Sequence, residues 1–420
     1  MRKDLKNGVV CQVMPTTQFK TNKISISFIT EVKTVTEITQ RTLLAYLLEV
    51  SSKKYPTQQV IAQELSQMYG ADFGTSTTRN GNYHIMKFNF SCVNDKYLTT
   101  PENLLTKGIK FLEEIIFRPL LVDGIFEKET FQRQKENFQT YLATMQDNKK
   151  IAALLALQKE YFTNPVQQSS VLGDLQTLKP LTAQDIVACY QKMITQDQVR
   201  IVVSGDVQED EVVEELATLP FTARENTLGS MYYQQANKDE VVEKVEQEKL
   251  QQSKLNLAYH FPIDQGCPDF HAAIVFNALL GGDARSYLFR NIREKASLAY
   301  YISSSFDSFG QYFYIQTGIK SSDKEQVQTL IAEQFAKIIA GEIDEQLFAE
   351  IKLSLINEHL SHLDSQNYLM VKALLQPLFK KTPTTGTWME NIQKVTIADV
   401  QEVAKKIQLQ AIYFLKGEEG

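Results

Sequence analysis

The sequence predicts an α+β protein of two homologous duplicated domains, each an antiparallel sheet packed with helices, facing each other as a clam-like pair. Two observations predict this class: the chain repeats itself once, and both halves place strand and helix patterns in the same order. A chain of 420 residues is also too long for one ordinary core. We place the domains at 1–225 and 254–420, joined by a polar, charged linker at 226–253. The facing arrangement is inferred from this architecture, not from any residue.

The repeat is clearest near the end of each half. A Thr-x-x-Asp box at 182–185 precedes a helix and an apolar strand that ends at Gly205, and a second box at 396–399 precedes a helix and a strand that ends at Gly417. In such a box the hydroxyl and carboxylate cap free N–H groups at a helix start. The two boxes and the two glycines are offset by nearly the same number of residues, which favours duplication over coincidence.

The earlier elements of the two halves also match. Alternating apolar residues predict strands at 24–28 and 255–261, and leucine-rich helices follow at 42–50 and 272–280. Further elements are predicted as a helix from 57 to 70, strand pairs at 75–78 with 84–92 and at 301–306 with 312–320, and closing helices at 127–145, 151–162, 344–363 and 368–379.

Composition and charge exclude several classes of protein. With 43% hydrophobic and 22% charged residues and a net charge of −6, the chain gives no reason to bind nucleic acid or an anionic membrane. No apolar run is long enough to span a membrane, and the first residues lack the apolar core of a secretion signal. Cys11, Cys92, Cys189 and Cys267 show no C-x-x-C spacing and are expected to be reduced thiols of a cytoplasmic protein. Disulfides in a secreted protein are the less favoured alternative.

The segment 280–301, LGGDARSYLFRNIREKASLAYY, carries the candidate binding residues. Arg293 and Tyr300 lie across a predicted helix-to-strand junction and together offer a fixed cation and a phenol donor, the kind of donors that stabilise an oxyanion. By residue type alone, a surface arginine and a core-edge tyrosine are the ordinary interpretation. The Gly281-Gly282 pair lacks the Lys-Ser/Thr of a nucleotide loop and is interpreted as letting the backbone approach a bound peptide closely.

With the duplication and this segment together, the chain resembles the insulinase/pitrilysin (inverzincin) family of zinc peptidases. The resemblance covers nearly the whole length and includes residues 7–10, 19–21 and 53–57. The family pattern Arg-(Glu/Thr)-Lys-x-x-Leu-(Ala/Gly)-Tyr is matched position by position from Arg293 to Tyr300. The resemblance implies that these two residues bind and polarise peptide substrate inside a chamber enclosed by the duplicated halves.

The metal side of the family pattern is missing. The inverted His-x-x-Glu-His motif should fall on 42–46, which reads Thr-Leu-Leu-Ala-Tyr, so both histidines are absent and Ala45 replaces the general base. The distal glutamate should lie near Thr140 and Tyr141, where there is no carboxylate. Neutral oxygen ligands of this kind do not suit a catalytic Zn²⁺. We therefore expect no metal site and no cofactor here, with zinc only in a partner subunit.

One histidine cluster offers an alternative metal site. His359 and His362 share a predicted helix face and could ligate a metal with Glu358 or Asp364, which would make the chain an autonomous enzyme. No base carboxylate lies between the two histidines, so a solvated or helix-packed pair is favoured. No Ser-His-Asp, Cys-His or phosphate-loop arrangement is present in the sequence.

Within the family, this combination resembles the non-catalytic subunit of bacterial heterodimeric peptidases. The resemblance implies a chain that is inactive alone and contributes Arg293 and Tyr300 to proteolysis by a homologous zinc-bearing subunit. Its partners are then that subunit, or a second copy of itself, and a peptide substrate. The alternative is a peptide- or protein-binding scaffold with no proteolytic role.

Overall fold

The computed structural model describes residues 2–379 and 384–418, which form two compact units. Unit 1 contains residues 2–144, 170–231 and 365–378, and unit 2 contains residues 145–169, 232–364, 379 and 384–418. Each unit has one large sheet packed with helices, which confirms the predicted α+β class.

The sheet of unit 1 has six strands in the order β1-β2-β8-β3-β5-β4. The strands of this unit are β1 (Arg2–Lys6), β2 (Val9–Pro15), β3 (Thr21–Glu31), β4 (Asp72–Asn80), β5 (Tyr83–Val93), the short hairpin of β6 (Leu121–Val122) and β7 (Ile125–Phe126), and β8 (Gln198–Gly205). Strands β2 and β8 are parallel, whereas the other neighbours in the sheet are antiparallel. The sheet is thus mainly antiparallel, as predicted, with one parallel pair.

The sheet of unit 2 repeats this topology. Its strands are β9 (Val242–Glu248), β10 (Ser253–His260), β11 (Ala299–Asp307), β12 (Tyr312–Ile319) and β13 (Gln408–Gly417). Their order, β11-β12-β10-β13-β9, is that of unit 1 without its extra edge strand β1, and β9 and β13 form the one parallel pair. Identical strand order in the two units confirms the predicted duplication.

Helices pack on both sheets. In chain order the α-helices of the described residues are α1 (Val35–Val50), α2 (Gln58–Gln67), α3 (Leu104–Phe117), α4 (Lys128–Asp147), α5 (Lys149–Tyr161), α6 (Pro165–Gln168), α7 (Leu175–Leu178), α8 (Ala183–Gln196), α9 (Glu209–Ala217), α10 (Phe270–Asn277), α11 (Lys324–Ala340), α12 (Glu345–His362), α13 (Gln366–Leu375), α14 (Thr385–Lys394) and α15 (Ile397–Lys406). Two π-helical turns, Ala278–Gly282 and Phe289–Lys295, lie between α10 and β11. No helix among these residues combines the length and apolarity needed to cross a membrane.

The two predicted capping boxes are present. The Asp185 N–H donates to the Thr182 hydroxyl over 3.3 Å, and the Thr182 N–H donates to the Asp185 carboxylate over 2.8 Å. Thr396 and Asp399 repeat this arrangement at 3.2 Å and 2.8 Å. Each box fixes the start of the helix before the last strand of its sheet, α8 before β8 and α15 before β13.

The units differ from the predicted domain bounds 1–225, 226–253 and 254–420 in two respects. First, residues 242–248 of the predicted linker form β9, which pairs with β13 at the edge of the second sheet. Second, the halves exchange a helix: α5 of the first half belongs to unit 2, and α13 of the second half belongs to unit 1. Both differences arise from tertiary pairing that chain order does not reveal.

In unit 1 the apolar face of the sheet includes Ile24, Ile26 and Phe28 of β3, which are buried, and α1 and α3 pack there. Unit 2 has apolar clusters on both faces. The larger one places β10 and β12 against α10, α11 and α15, and the smaller one places α5 against β10 and β13.

Candidate functional site

The helix segment where the resemblance places the zinc motif is part of the core of unit 1. Thr42 and Ala45 on α1 are 1% and 2% exposed. The Thr42 hydroxyl donates to the Ile38 carbonyl oxygen one turn earlier, over 3.0 Å. A hydroxyl bonded to its own helix and a methyl group supply neither a metal ligand nor a base.

The remaining positions of that motif carry tyrosines. The ring of Tyr46 on α1 contacts the ring of Phe138 on α4 edge-on. Burial, with smaller effects from Tyr141 and Glu49, raises the pKa of Tyr46 to about 12, so its phenol is neutral at physiological pH. Tyr141, on α4 at the place of the distal glutamate, is half exposed. Because Zn²⁺ prefers imidazole, thiolate and carboxylate ligands, these residues do not fit the metal that the resemblance implies.

Glu49 is an acidic residue of this region that the sequence analysis did not consider. It lies one turn after Ala45, and its Oε2 accepts hydrogen bonds from the Thr75 N–H at 2.8 Å and the Thr75 hydroxyl at 2.5 Å. The carboxylate therefore ties α1 to β4. Its spacing of four residues from Ala45 on a predicted helix was the signal that could have identified it.

The alternative metal site is not assembled. Among the described residues no group of three or more His, Cys, Asp or Glu side chains could hold a metal ion. The His359 ring is buried and stacks on the Trp388 ring, with centroids 4.1 Å apart, whereas His362 is exposed. This geometry favours the helix-packed interpretation of the pair.

Arg293 lies on the π-helical turn Phe289–Lys295 in unit 2 and is exposed. Its guanidinium lies over the Phe289 ring, 4.7 Å from the centroid, and this contact restricts where the cation can point. No ion pair joins it to another residue that the structure describes. The planar donor group is thus available to an external acceptor.

Tyr300 lies on the edge strand β11, at a break in the strand register. Ala299 pairs with Ile319 whereas Tyr301 pairs with Gly318, so Tyr300 is the extra residue of a β-bulge. Bulges of this kind redirect a side chain away from the regular alternation. Tyr300 is 58% exposed, and its hydroxyl makes no hydrogen bond to the described residues.

A tight connection joins the two candidate residues within unit 2. The turn that carries Arg293 ends at Lys295 and is followed by Ser297, whose φ of +56° is left-handed, and β11 begins at Ala299. The Leu298 N–H donates to the Ile292 carbonyl over 3.1 Å, which closes the end of the turn. Arg293 and Tyr300 are therefore held on opposite sides of one short, hydrogen-bonded junction.

The neighbouring Tyr301 is held by two lysines. Lys150 and Lys254 place their ammonium groups 4.7 Å and 5.4 Å from its ring centroid. Its ring lies over Gly318, where an added Cβ would come within 2.5 Å of Tyr301 Cε1. Two cations therefore lie at the ring of the residue that follows Tyr300.

The two predicted glycines differ in their surroundings. Gly281 is buried, and a Cβ there would lie 2.8 Å from the backbone nitrogen of Ser304 on β11. Gly282 is exposed, and a Cβ there would meet the Asn277 side chain at 2.6 Å. The backbone that comes closest to each glycine belongs to this chain, so close packing accounts for Gly281 without a ligand.

Comparisons with known proteins identify the family of the chain. A family model described as "Peptidase M16 inactive domain" matches residues 180–355. The chain is 31% identical over 419 residues to the "Probable inactive metalloprotease YmfF" of Bacillus subtilis (strain 168), with 100% of this chain and 98% of the relative covered.

Solved structures show the same fold along the whole chain. A conserved protein from Enterococcus faecalis V583 has a TM-score of 0.95 at 40% identity, covering 100% of this chain and 99% of that one. The peptidase M16 inactive domain from Pseudomonas fluorescens has a TM-score of 0.77 at 17% identity, with 98% and 97% covered, and supports the fold alone. The chain therefore belongs to the peptidase M16 family, the insulinase/pitrilysin-type peptidases that its sequence resembles.

Proposed function

We propose that this chain is a non-catalytic subunit of a zinc-dependent peptidase, in which Arg293 and Tyr300 bind peptide opposite the zinc site of a homologous partner subunit. The observation that carries the proposal is the exposure of both donors at one rigid junction, without a competing partner among the described residues. The heterodimer and a cytoplasmic location are parts of this proposal.

The chemistry of the two groups supports a role at a peptide carbonyl. A guanidinium offers fixed, permanently charged N–H donors, and a phenol adds a neutral O–H donor. Donors that are already in place stabilise the negative charge that develops on a carbonyl oxygen during peptide hydrolysis. The Arg293–Phe289 contact and the β-bulge at Tyr300 limit the motion of both groups before substrate binds.

The residues at the positions of the zinc motif support a separation of substrate binding and zinc binding between two subunits. Thr42, Ala45 and Tyr46 leave no ligand set for zinc on α1, and the B. subtilis relative is itself described as a "Probable inactive metalloprotease". A subunit that keeps substrate donors but lacks the metal site needs a second chain to supply the activated water and its base.

The test is reconstitution with a homologous chain from the same organism that carries His-x-x-Glu-His. The mixture should cleave a fluorogenic peptide, whereas this chain alone should not, and zinc should be bound by the other chain. Arg293→Ala and Tyr300→Phe should each lower kcat of the complex by about 100-fold, the usual effect of losing one oxyanion donor. Arg290→Ala and Tyr301→Phe are matched controls on the same two elements and should retain activity.

Full activity of the complex with Arg293→Ala and Tyr300→Phe would refute this role. Binding of peptides without cleavage in any mixture would favour the scaffold alternative. Activity of this chain alone would also refute the proposal, because no copy of this chain carries the zinc ligands or the base of the family motif.

A further inference from the structure

A row of polar side chains crosses the sheet of unit 1 on the face opposite α1. Ser27 of β3 pairs with Lys87 of β5 on one side and with Arg200 of β8 on the other. Residues that pair directly share a face of the sheet, so the three side chains lie side by side. In the next row, the Ser25 hydroxyl donates to Asn89 Oδ1 over 2.8 Å.

The equivalent row of unit 2 is apolar. In the duplicated topology, Ala258 lies on the corresponding face of β10 and pairs with Tyr314 and Ala411. Ala258 and Ala411 are fully buried in the cluster formed with Ala153 and Leu157 of α5. In unit 2 this face of the sheet thus forms a second apolar core. In unit 1 the same face carries the Lys87 and Arg200 cations and the Ser27 hydroxyl.

Helix α13 lies over the polar face in unit 1 without filling it. At its start, the Gln366 amide donates to the carbonyl oxygens of Thr21 and Ser204, at 3.0 Å and 2.9 Å. A cleft of about 380 Å³ remains between α13 and strands β3, β4 and β5. The strands line it mainly with polar side chains. Helix α13 lines it with the apolar Met370, Val371 and Leu374 and with Asn367, whose Oδ1 accepts from Lys23 Nζ over 2.8 Å.

Lys87 is the unusual group in this cleft. Burial lowers the pKa of its ammonium, which has no hydrogen bond or ion pair within the described part of the chain. Next to it in the row, the Ser27 hydroxyl is 0% exposed and has no hydrogen-bond partner. A partly desolvated charge without a partner destabilises a fold, and such groups persist mainly where they serve binding.

We propose that this cleft binds the carboxylate end of a peptide, with the carboxylate on Lys87 and the last side chain against α13. The site lies in unit 1 and does not depend on the role proposed for Arg293 and Tyr300.

The charge of the lining selects the class of ligand. Lys23 and Lys87 are cationic and Asp72 is anionic, so the charged groups that line the cleft sum to one positive charge. One carboxylate balances that charge, whereas a phosphate dianion would leave the cleft with a net negative charge. The apolar side chains of α13 favour an aliphatic group next to the carboxylate, and Asn89 and Ser76 offer polar contacts to a peptide backbone.

The test uses two probes that differ only at the terminus, acetyl-leucyl-leucine and its C-terminal amide, titrated into the full chain by calorimetry. The acid should bind, and the amide should bind at least about tenfold more weakly because it lacks the charge-assisted bond. Lys87→Met should weaken binding of the acid by a similar factor. Lys110→Met, which removes an exposed lysine of α3, is the matched control and should leave the affinity unchanged.

Thermal unfolding shows whether the Lys87→Met variant is folded. Its melting temperature should be at least that of the natural chain, because the unpaired charge is gone. Equal affinity for acid and amide would overturn the proposal, as would unchanged affinity in a folded Lys87→Met variant. Absence of heat from either probe up to about 1 mM would overturn it as well.

Discussion

The ring of Tyr46 on α1 meets the ring of Phe138 on α4 edge-on, with centroids 5.2 Å apart and an interplanar angle of 80°. This contact occupies the position where the family resemblance places an imidazole ligand. Edge-to-face aromatic pairs add about 0.5–1.5 kcal/mol beyond the area that they bury. The tyrosine in place of a ligand therefore contributes to the packing of unit 1.

Restoring the two histidines should not restore an enzyme. The double variant Thr42→His/Tyr46→His still lacks the base at Ala45 and a carboxylate at Tyr141, and it places a larger polar ring at the fully buried Thr42. We expect a loss of roughly 1–3 kcal/mol in the free energy of unfolding, because overpacking and loss of the aromatic contact act together. Urea unfolding measures this loss, and a peptide-cleavage assay with added zinc checks activity. Zinc-dependent cleavage by this double variant would contradict the prediction.

The buried histidine of unit 1 should make stability fall in mild acid. Burial, aided by the neighbouring Arg41, holds the pKa of His84 well below 6.5, and the Arg41 Nε–H donates to His84 Nδ1 over 3.0 Å. Below about pH 6.5 the unfolded chain binds a proton that the folded chain does not, so stability decreases as the pH falls. The slope from this one group approaches about 1.4 kcal/mol per pH unit.

Urea unfolding at about pH 7.5 and about pH 5.5 tests that slope. His84→Asn keeps an acceptor near the place of Nδ1 but cannot titrate, so the difference between the two pH values should shrink. His362→Asn, at an exposed histidine, should leave it unchanged. If the natural chain and His84→Asn show the same pH dependence, the assignment to His84 is wrong.

A methyl group at Gly281 should destabilise unit 2. In Gly281→Ala the Cβ would lie 2.8 Å from the Ser304 backbone nitrogen, which cannot move without shifting β11. We expect a loss of about 1–3 kcal/mol, the usual cost of inserting a carbon into a packed site. Gly386→Ala on α14 is the control, since nothing lies within 4 Å of its added Cβ. Thermal unfolding of both variants measures the effect. Equal melting temperatures for Gly281→Ala and Gly386→Ala would contradict the prediction, because they would show that β11 shifts without loss of stability.

The duplicated fold could be predicted because its signals are local. Apolar alternation marked β3 and β10, and the capping boxes at Thr182 and Thr396 marked the last helix of each half. Strand β9 escaped prediction because it is an edge strand with five exposed residues in its middle and no apolar alternation. Its only reason to be extended is its pairing with β13, which the sequence of 242–248 does not contain.

The candidate site could be predicted by residue but not by geometry. The sequence motif identified Arg293 and Tyr300. The β-bulge at Tyr300, however, depends on the register between β11 and β12. The contact of Arg293 with Phe289 depends on a π-helical turn. Lys87 carried no sequence signal at all. A lysine in an alternating strand is an ordinary surface residue by its pattern. Lys87 lines a cleft only because α13, which is distant in the sequence, packs near it.

The exchange of α5 and α13 has a consequence for how such a chain folds. Each half contributes one helix to the unit that is built mainly from the other half. A gene cut at the connecting segment would therefore encode two fragments, each of which lacks one helix of its unit. An exchange of identical elements between two copies is known as domain swapping, and here the two copies are halves of one polypeptide. When synthesis of the first half ends, the helix α13 that completes unit 1 has yet to be made.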